Sequence, residues 1–207
     1  MSGMSQERAP QILQIFREFL KAGSEAAYKT IEDDSARICV RLKCPHPHLA
    51  IESLTGPREV WWLNAFESDS QRQQVDAEYA KNVALMSALE RNSKRKQEVT
   101  GTPINVYAHY RSDLSRDAAW TLAGARFLVV TITRQEVMAG GSAFEASDGV
   151  RFILRPVATR QQADVEWAAA GQEARIFAVR PYWGLPEEKW IEADPEFWKA
   201  NPIASGK

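Results

Sequence analysis

The chain has 207 residues, 44 % of them apolar and 26 % charged, enough for one large domain or two small ones that bury roughly 70 % of the unfolded surface. Its 26 Lys and Arg against 27 Asp and Glu leave a formal charge of −1, so no global field steers it onto nucleic acid or an anionic membrane, and neither partner is expected. Met1–Pro10 has no apolar run of the signal-peptide kind and no stretch approaches the roughly 18 apolar residues of a membrane span, which gives a cytoplasmic expectation.

Gln11–Leu20, QILQIFREFL, reads as a strand that ends at Lys21-Ala22-Gly23. Tyr28, Ile31, Ile38 and Leu42 then fall at helical spacing, with Ser35 in the remaining place, until Pro45 and Pro47 stop the pattern. His48–Leu54 and Glu59–Glu67 flank Thr55-Gly56-Pro57-Arg58 and predict a hairpin whose second strand is rich in aromatic and β-branched side chains. Ser68 and Gln71 stand in capping-box spacing, and Val75, Tyr79, Val83, Met86 and Leu89 predict one long helix from there. That helix runs into the basic stretch Arg91–Lys96, read as a solvated face beside the negative end of the helix dipole. Ile104–Arg111 follows as a strand with Ile104, Val106 and Ala108 on one face and Asn105, Tyr107, His109 and Arg111 on the other.

From Ala125 the pattern restarts. RFLVVTITR reads as a strand, and the Gly-rich Ala139-Gly140-Gly141 stands where the first unit has its helix. Ser142–Ala146 and Val150–Val157 surround Asp148-Gly149, a strong hairpin signal. Thr159 and Gln162 repeat the capping-box spacing, a helix runs to Gly171, and Ala174–Tyr182 is a last strand. The class is α+β: β-α-β-β-α-β, the ferredoxin-like order, and then β-β-β-α-β. The expected units are residues 10–114 and a degenerate copy over 121–185, followed by a docking segment over 186–207 that carries Trp190, Ile191, Phe197 and Trp198.

Arg72–Ala80, RQQVDAEYA, and Arg160–Ala168, RQQADVEWA, share six residues of nine, and both open the helix after a hairpin. Internal duplication explains this; the alternative is chance likeness of two polar helix starts. Glu59–Glu67 places Val60, Trp62 and Phe66 on one face and Trp61, Leu63 and Ala65 on the other, so both faces must leave water. Two four-stranded units stacked through their open faces satisfy that demand, and four plus four strands make an eight-stranded barrel, closed within one chain or between two in a homodimer.

On this element order, the aromatic third strand and the tandem arrangement, residues 10–182 resemble the dimeric α/β-barrel superfamily, which includes NIPSNAP-type and antibiotic-biosynthesis-monooxygenase-type proteins. The resemblance implies a barrel with a cavity between its sheets, used in different members for cofactor-free oxidation, isomerisation, haem handling or ligand sensing. It carries over no catalytic residue.

Tyr107, His109 and Arg111 project from one strand face, where an imidazole beside a phenol can exchange protons near neutral pH. His109 and Tyr107 are the candidate catalytic pair, with Trp62, Asn64, Gln14 and Arg111 as candidate ligand contacts. The other reading has Tyr107, His109 and Arg111 capping the sheet edge or bridging to the second unit. Cys39, Cys44, His46 and His48 crowd ten residues, but two prolines intervene and no second pair completes a tetrahedral site, so no metal is expected. Two cysteines are also too few for a disulfide framework, and Cys39 reads as a buried helix residue. Glu32-Asp33-Asp34 reads as a solvated helix face, and Gly140-Gly141 as a flexible connection. No fingerprint names a cofactor. Two functions remain: a binder of, or cofactor-independent enzyme acting on, a small hydrophobic or aromatic molecule held between the sheets, or a non-catalytic interaction module with a filled barrel.

Overall fold

A computed structural model describes residues 8–116, 120–136, 139–171 and 173–205; Met1–Glu7, most of the segment examined for a leader, lie outside the described residues. In chain order the elements are β1 (Ile12–Phe19), α1 (Glu25–Leu42), β2 (Leu49–Ser53), β3 (Glu59–Phe66), α2 (Asp69–Lys81), α3 (Val83–Val99) and β4 (Ile104–Tyr110). There follow β5 (Ser115–Arg116), β6 (Phe127–Thr133), β7 (Ala139–Gly140), β8 (Ser142–Ala146), β9 (Arg151–Val157), α4 (Arg160–Ala170) and β10 (Ala174–Val179). Three short helices close the chain: α5 (Glu188–Ala193), α6 (Pro195–Trp198) and α7 (Pro202–Ser205). No helix among the described residues is long and apolar enough to cross a membrane.

Eight strands form a closed antiparallel barrel in the order β1-β3-β2-β10-β6-β9-β8-β4, with seven helices among the described residues. The first half runs β4-β1-β3-β2 and the second β10-β6-β9-β8, so each half has its last strand beside its first. The seams are β2 against β10 and β4 against β8, both within this one chain. Pairing of β4 with β8 is short, Ala108↔Ala146 to Tyr110↔Phe144.

The doubly apolar β3 strand explains the layering. Trp61 and Leu63 enter the barrel, where Leu13, Ile15, Ile51, Leu128, Leu154, Phe152 and Phe177 join them in one core. Trp61 meets Phe177 at 4.6 Å and Phe152 at 6.0 Å between ring centroids. Val60 and Phe66 point outward and pack beneath the helices. The C-terminal segment joins the same core through Trp190, Ile191 and Trp198, so its aromatic side chains dock on their own chain. These side chains therefore pack together in the space between the sheets.

Three expectations change. The long helix after Ser68 breaks at Asn82, whose Oδ1 accepts from the Leu85 N–H at 3.1 Å while its Nδ2 donates to the Leu42 carbonyl at 2.9 Å. That restart turns Leu85, Ala88 and Asn92 inward and leaves Val83 71 % and Met86 43 % exposed, so the apolar stripe drawn through Val83 and Met86 is not the packing face. Cys39 and Cys44 form a disulfide rather than remaining free; the left-handed turn at Lys43 (φ 56°) brings the last turn of α1 back on itself. Finally, the Gly-rich stretch read as a flexible connection is paired: Ala139–Gly140 forms β7 beside β5, in the place where the first half has its α1.

Candidate functional site

The outer face of the first half carries Ile12, Gln14, Phe16 and Glu18 on β1 and Val60, Trp62, Asn64 and Phe66 on β3, each set alternating with the barrel-facing residues. Above it, α1 lowers Tyr28, Ile31, Glu32 and Cys39, and α3 lowers Leu85, Ala88 and Asn92. Where these layers part, a cleft of about 330 Å3 opens, lined by Phe16, Trp62 and Leu89 with Glu18, Glu32 and Lys96 at its polar end. A more open groove of about 590 Å3 shares Phe16, His48, Trp62, Tyr79 and Leu89 with it and adds Gln14 and Asn64.

The polar end is a buried ionic cluster. Lys96 Nζ lies 2.9 Å from Glu18 Oε1 and 3.0 Å from Glu32 Oε1. Glu18 Oε2 also accepts from the Tyr28 hydroxyl at 2.7 Å and the Trp62 indole N–H at 2.8 Å. Glu32 is only 1 % exposed, and burial pushes its carboxyl up to about 7, against the pull of Lys96. Burial disfavours charge on Lys96, but Glu32 and Glu18 outweigh it and lift the ammonium above its ordinary range. Tyr28 is raised by burial and then by the two carboxylates, so it remains a phenol that donates. A cation shared by two carboxylates, one of which titrates near neutrality, can give or take a proton in a site largely closed to water.

His48 stands where cleft and groove meet. Burial lowers its imidazole to about 4, its Nδ1 lies 3.3 Å from the His46 carbonyl oxygen, and its ring meets Trp62 edge-on at 5.7 Å. With Nδ1 turned to that carbonyl, the neutral ring carries its proton there and offers Nε2 as an acceptor. His46 points elsewhere: it stacks on Phe66 at 4.6 Å, and its Nε2 lies 3.0 Å from the Ala65 carbonyl oxygen. Burial raises Tyr79 to about 12, so this wall residue is also a neutral phenol.

Of the residues expected from sequence, Trp62, Gln14 and Asn64 meet in the groove. Tyr107 sits beside it: its hydroxyl accepts from Gln14 Nε2 at 3.1 Å, and the Arg72 guanidinium covers its ring at 5.1 Å. His109 is exposed, opposite Ile12 on the outer face, and the structure does not bring it to the groove. Arg111 is engaged by Asp113 at 2.7 Å and Glu145 at 2.8 Å. The polar face of β4 looks outward and not between the sheets, because Val106, Ala108 and Tyr110 take the barrel side.

Sequence reasoning missed Glu18, Glu32, Lys96 and His48. Glu32 and Lys96 were each assigned to a solvated face, and both assignments fail. The signal lay in helical spacing: Glu32 is four residues from Tyr28 and seven from Cys39, and Lys96 continues Leu85, Ala88 and Asn92 on one face. Each charge stands in an apolar stripe, which a search for apolar residues alone passes over.

No family model and no curated protein matches the chain. A solved structure from Fusobacterium nucleatum, described as a "putative monooxygenase", superposes with a TM-score of 0.53 at 10 % identity, covering 84 % of this chain and 94 % of that chain. At that identity the likeness is one of fold. A Lactobacillus acidophilus protein of the same description has a TM-score of 0.46 at 5 % identity over 82 % of this chain and 93 % of that one. A protein described as a "putative chlorite dismutase" has 0.44 at 10 % identity over 84 % and 96 %.

Proposed function

We propose that the chain binds a small, flat, mostly apolar molecule in the cleft between the first half of the barrel and its helices, and that Glu32, steadied by Lys96, exchanges a proton with it. The observation that carries this reading is a carboxyl group held near neutrality at the polar end of an aromatic-walled cleft. Phe16, Trp62 and Leu89 supply apolar contact, Gln14 and Asn64 read polar groups at the open side, and Tyr107 orients Gln14. The fold shared with a protein described as a "putative monooxygenase" agrees with an enzyme that acts on a small molecule. The site expected between the sheets moves to the outer face.

The same reading takes the barrel as two copies of one ferredoxin-like unit, residues 10–114 and 121–185, with 186–207 docked across them and a single site in the first copy. Support comes from the equal strand order of the halves and from the shared nine residues, which begin at the fourth residue of α2 and the first of α4. The packed interior favours a second reading, a non-catalytic module in which the barrel is only a scaffold.

A melting-temperature screen with flat aromatic compounds such as indole and 1-naphthol separates the two, since a bound ligand stabilises by mass action. Under the first reading a stabilising compound loses its effect when Leu89→Trp fills the cleft, and its affinity varies with pH about a midpoint near 7 that Glu32→Gln abolishes. Equal stabilisation of both variants and the unmodified chain at every pH removes the site.

A further inference from the structure

A further cavity, of about 540 Å3, lies on the other side of β4, where the barrel wall is incomplete. β8 ends at Ala146 and the chain turns back through Asp148-Gly149, so β8 pairs with β4 only over Ala108–Tyr110. Ile104–Tyr107 therefore has β1 on one side and the cavity on the other. The Tyr110 N–H donates to Gln11 on the β1 side and the Arg111 N–H to Ala143 on the β8 side. By the alternation of a strand, Asn105 and Tyr107 turn their main-chain N–H and C=O groups into the gap.

Arg17 lies at the cavity's inner end. Its side chain is 13 % exposed and grips the fully buried Glu59 through Nε at 2.8 Å and Nη2 at 2.7 Å. The same carboxylate takes Arg175 Nη1 at 2.6 Å and the Trp61 indole N–H at 2.6 Å. One carboxylate faces two guanidiniums, so the cluster keeps a net positive charge in a poorly hydrated place, where an anion is favoured. Around it, Val106, Ala146, Val150 and Phe152 form apolar walls. Asp148, the acid at the rim, is neutralised by Arg134 at 3.0 Å.

We infer that this slot binds a small carboxylic acid with an apolar body, its carboxylate on the Arg17 guanidinium and its body between β4 and the β8–β9 hairpin. The guanidinium selects a planar carboxylate by paired N–H donors, the walls select an apolar body, and the free edge of Asn105 and Tyr107 offers main-chain pairing to an amide. The slot opens on a different side of β1 from the cleft and stands independently of the function proposed above.

Isothermal titration of the full chain with phenylacetate, phenylacetamide and inorganic phosphate tests the inference. Phenylacetate is expected to bind with a Kd of about 10 mM or tighter, and the uncharged amide at least about tenfold more weakly, the scale of one charge-assisted hydrogen bond. Phosphate should not displace phenylacetate at equal concentration. Arg17→Met should abolish binding; since it also disturbs Glu59, Ser147→Trp serves as a second variant that closes the opening from the exposed turn and leaves the ionic cluster intact. No binding to the unmodified chain, equal binding of acid and amide, displacement by phosphate, or undiminished binding to folded Ser147→Trp would each overturn the assignment.

Discussion

The two halves of the barrel share a strand order and a helix signature, yet they treat their outer faces differently. In the first, α1, α2 and α3 lie over the sheet, and long side chains hold a cleft open with an ionic cluster inside. In the second, α4 is the one long helix among the described residues, and it closes on small ones, with Ala163 against Val129, Ala174 and Ile176. Where a further helix would lie, Leu114 covers Ala143 and Ile153, and the surface is laced with Arg111–Glu145–Arg151 and Arg155–Glu166 pairs. The matched segments Arg72–Ala80 and Arg160–Ala168 show how this arises. Val75 becomes Ala163, which lets α4 sit closer; Tyr79 lines the cleft, whereas its counterpart Trp167 is 40 % exposed and donates to the Ala174 carbonyl at 2.9 Å. A site here follows from helix standoff more than from sheet topology.

The largest expected effect comes from removing one cation from each half. Lys96→Met leaves Glu18 and Glu32 buried side by side and should cost about 3–5 kcal/mol. Arg111→Met removes a solvent-screened cation from Asp113 and Glu145 and should cost far less. Urea unfolding of both at pH 7 measures the difference, and equal losses would mean that the ionic cluster in the cleft is as well hydrated as the surface pairs.

A pH series sharpens the same contrast, because two cleft groups titrate with opposite sign. Folded Glu32 keeps its proton to about 7 whereas the unfolded carboxyl loses it near 4.5, so the folded state holds more protons between these values and stability falls as pH rises. His48 is protonated below 6.5 when unfolded but only below about 4 when folded, so its contribution rises with pH over that window. Each slope approaches about 1.4 kcal/mol per pH unit, and they oppose each other from about 4.5 to 6.5. Relative to the unmodified chain, Glu32→Gln should make stability climb over this range and His48→Phe should make it decline. Parallel curves for all three proteins would remove both buried titrations.

Most of the fold was legible because strands and caps speak locally. The alternation in Ile104–Arg111, the Asp148-Gly149 turn and the two capped helix starts each carry their own backbone chemistry. The doubly apolar Glu59–Phe66 strand also announced a sheet covered on both sides. The site was legible only in part: Trp62, Gln14 and Asn64 share a face by period two, so their meeting could be read. Whether that face looks into the barrel or towards the helices depends on curvature and on which apolar set fills the interior, and local pattern does not distinguish them. Glu32 and Lys96 were hidden because burial of each is supplied by the other, across a helix pair. The Cys39–Cys44 link depended on one left-handed residue, Lys43.

Exchanging the matched contact residues probes helix standoff directly. Ala163→Val forces α4 away from Val129 and Ile176 and should cost about 1–3 kcal/mol by overpacking. Val75→Ala, under a helix that already stands off, should cost only the transfer of two methyl groups, about 1.5 kcal/mol. Thermal unfolding of the pair checks this. If Ala163→Val is neutral, α4 is not held at close range and the difference between the halves lies elsewhere.

The smallest effect should be the one that shows the halves most alike. Ser68 Oγ accepts from the Gln71 N–H at 3.1 Å, and Thr159 Oγ1 from the Gln162 N–H at 3.2 Å. Both glutamine side chains return a bond to the residue before the cap: Gln71 Oε1 accepts from the Glu67 N–H at 2.7 Å and Gln162 Oε1 from the Ala158 N–H at 3.1 Å, and Gln162 Oε1 accepts from the Thr159 N–H at 3.1 Å as well. Ser68→Ala and Thr159→Ala each remove one acceptor from an exposed helix start and should each cost about 1 kcal/mol, the usual worth of an N-cap. The reciprocal bond at Thr159 does not enlarge its loss, because Gln162 Oε1 keeps both main-chain donors when the hydroxyl is gone. Urea midpoints for the two variants should therefore agree. A markedly larger loss for Ser68→Ala would show that the start of α2 also holds the cleft-forming helices in place, and the two caps would then be alike in sequence but not in the load they carry.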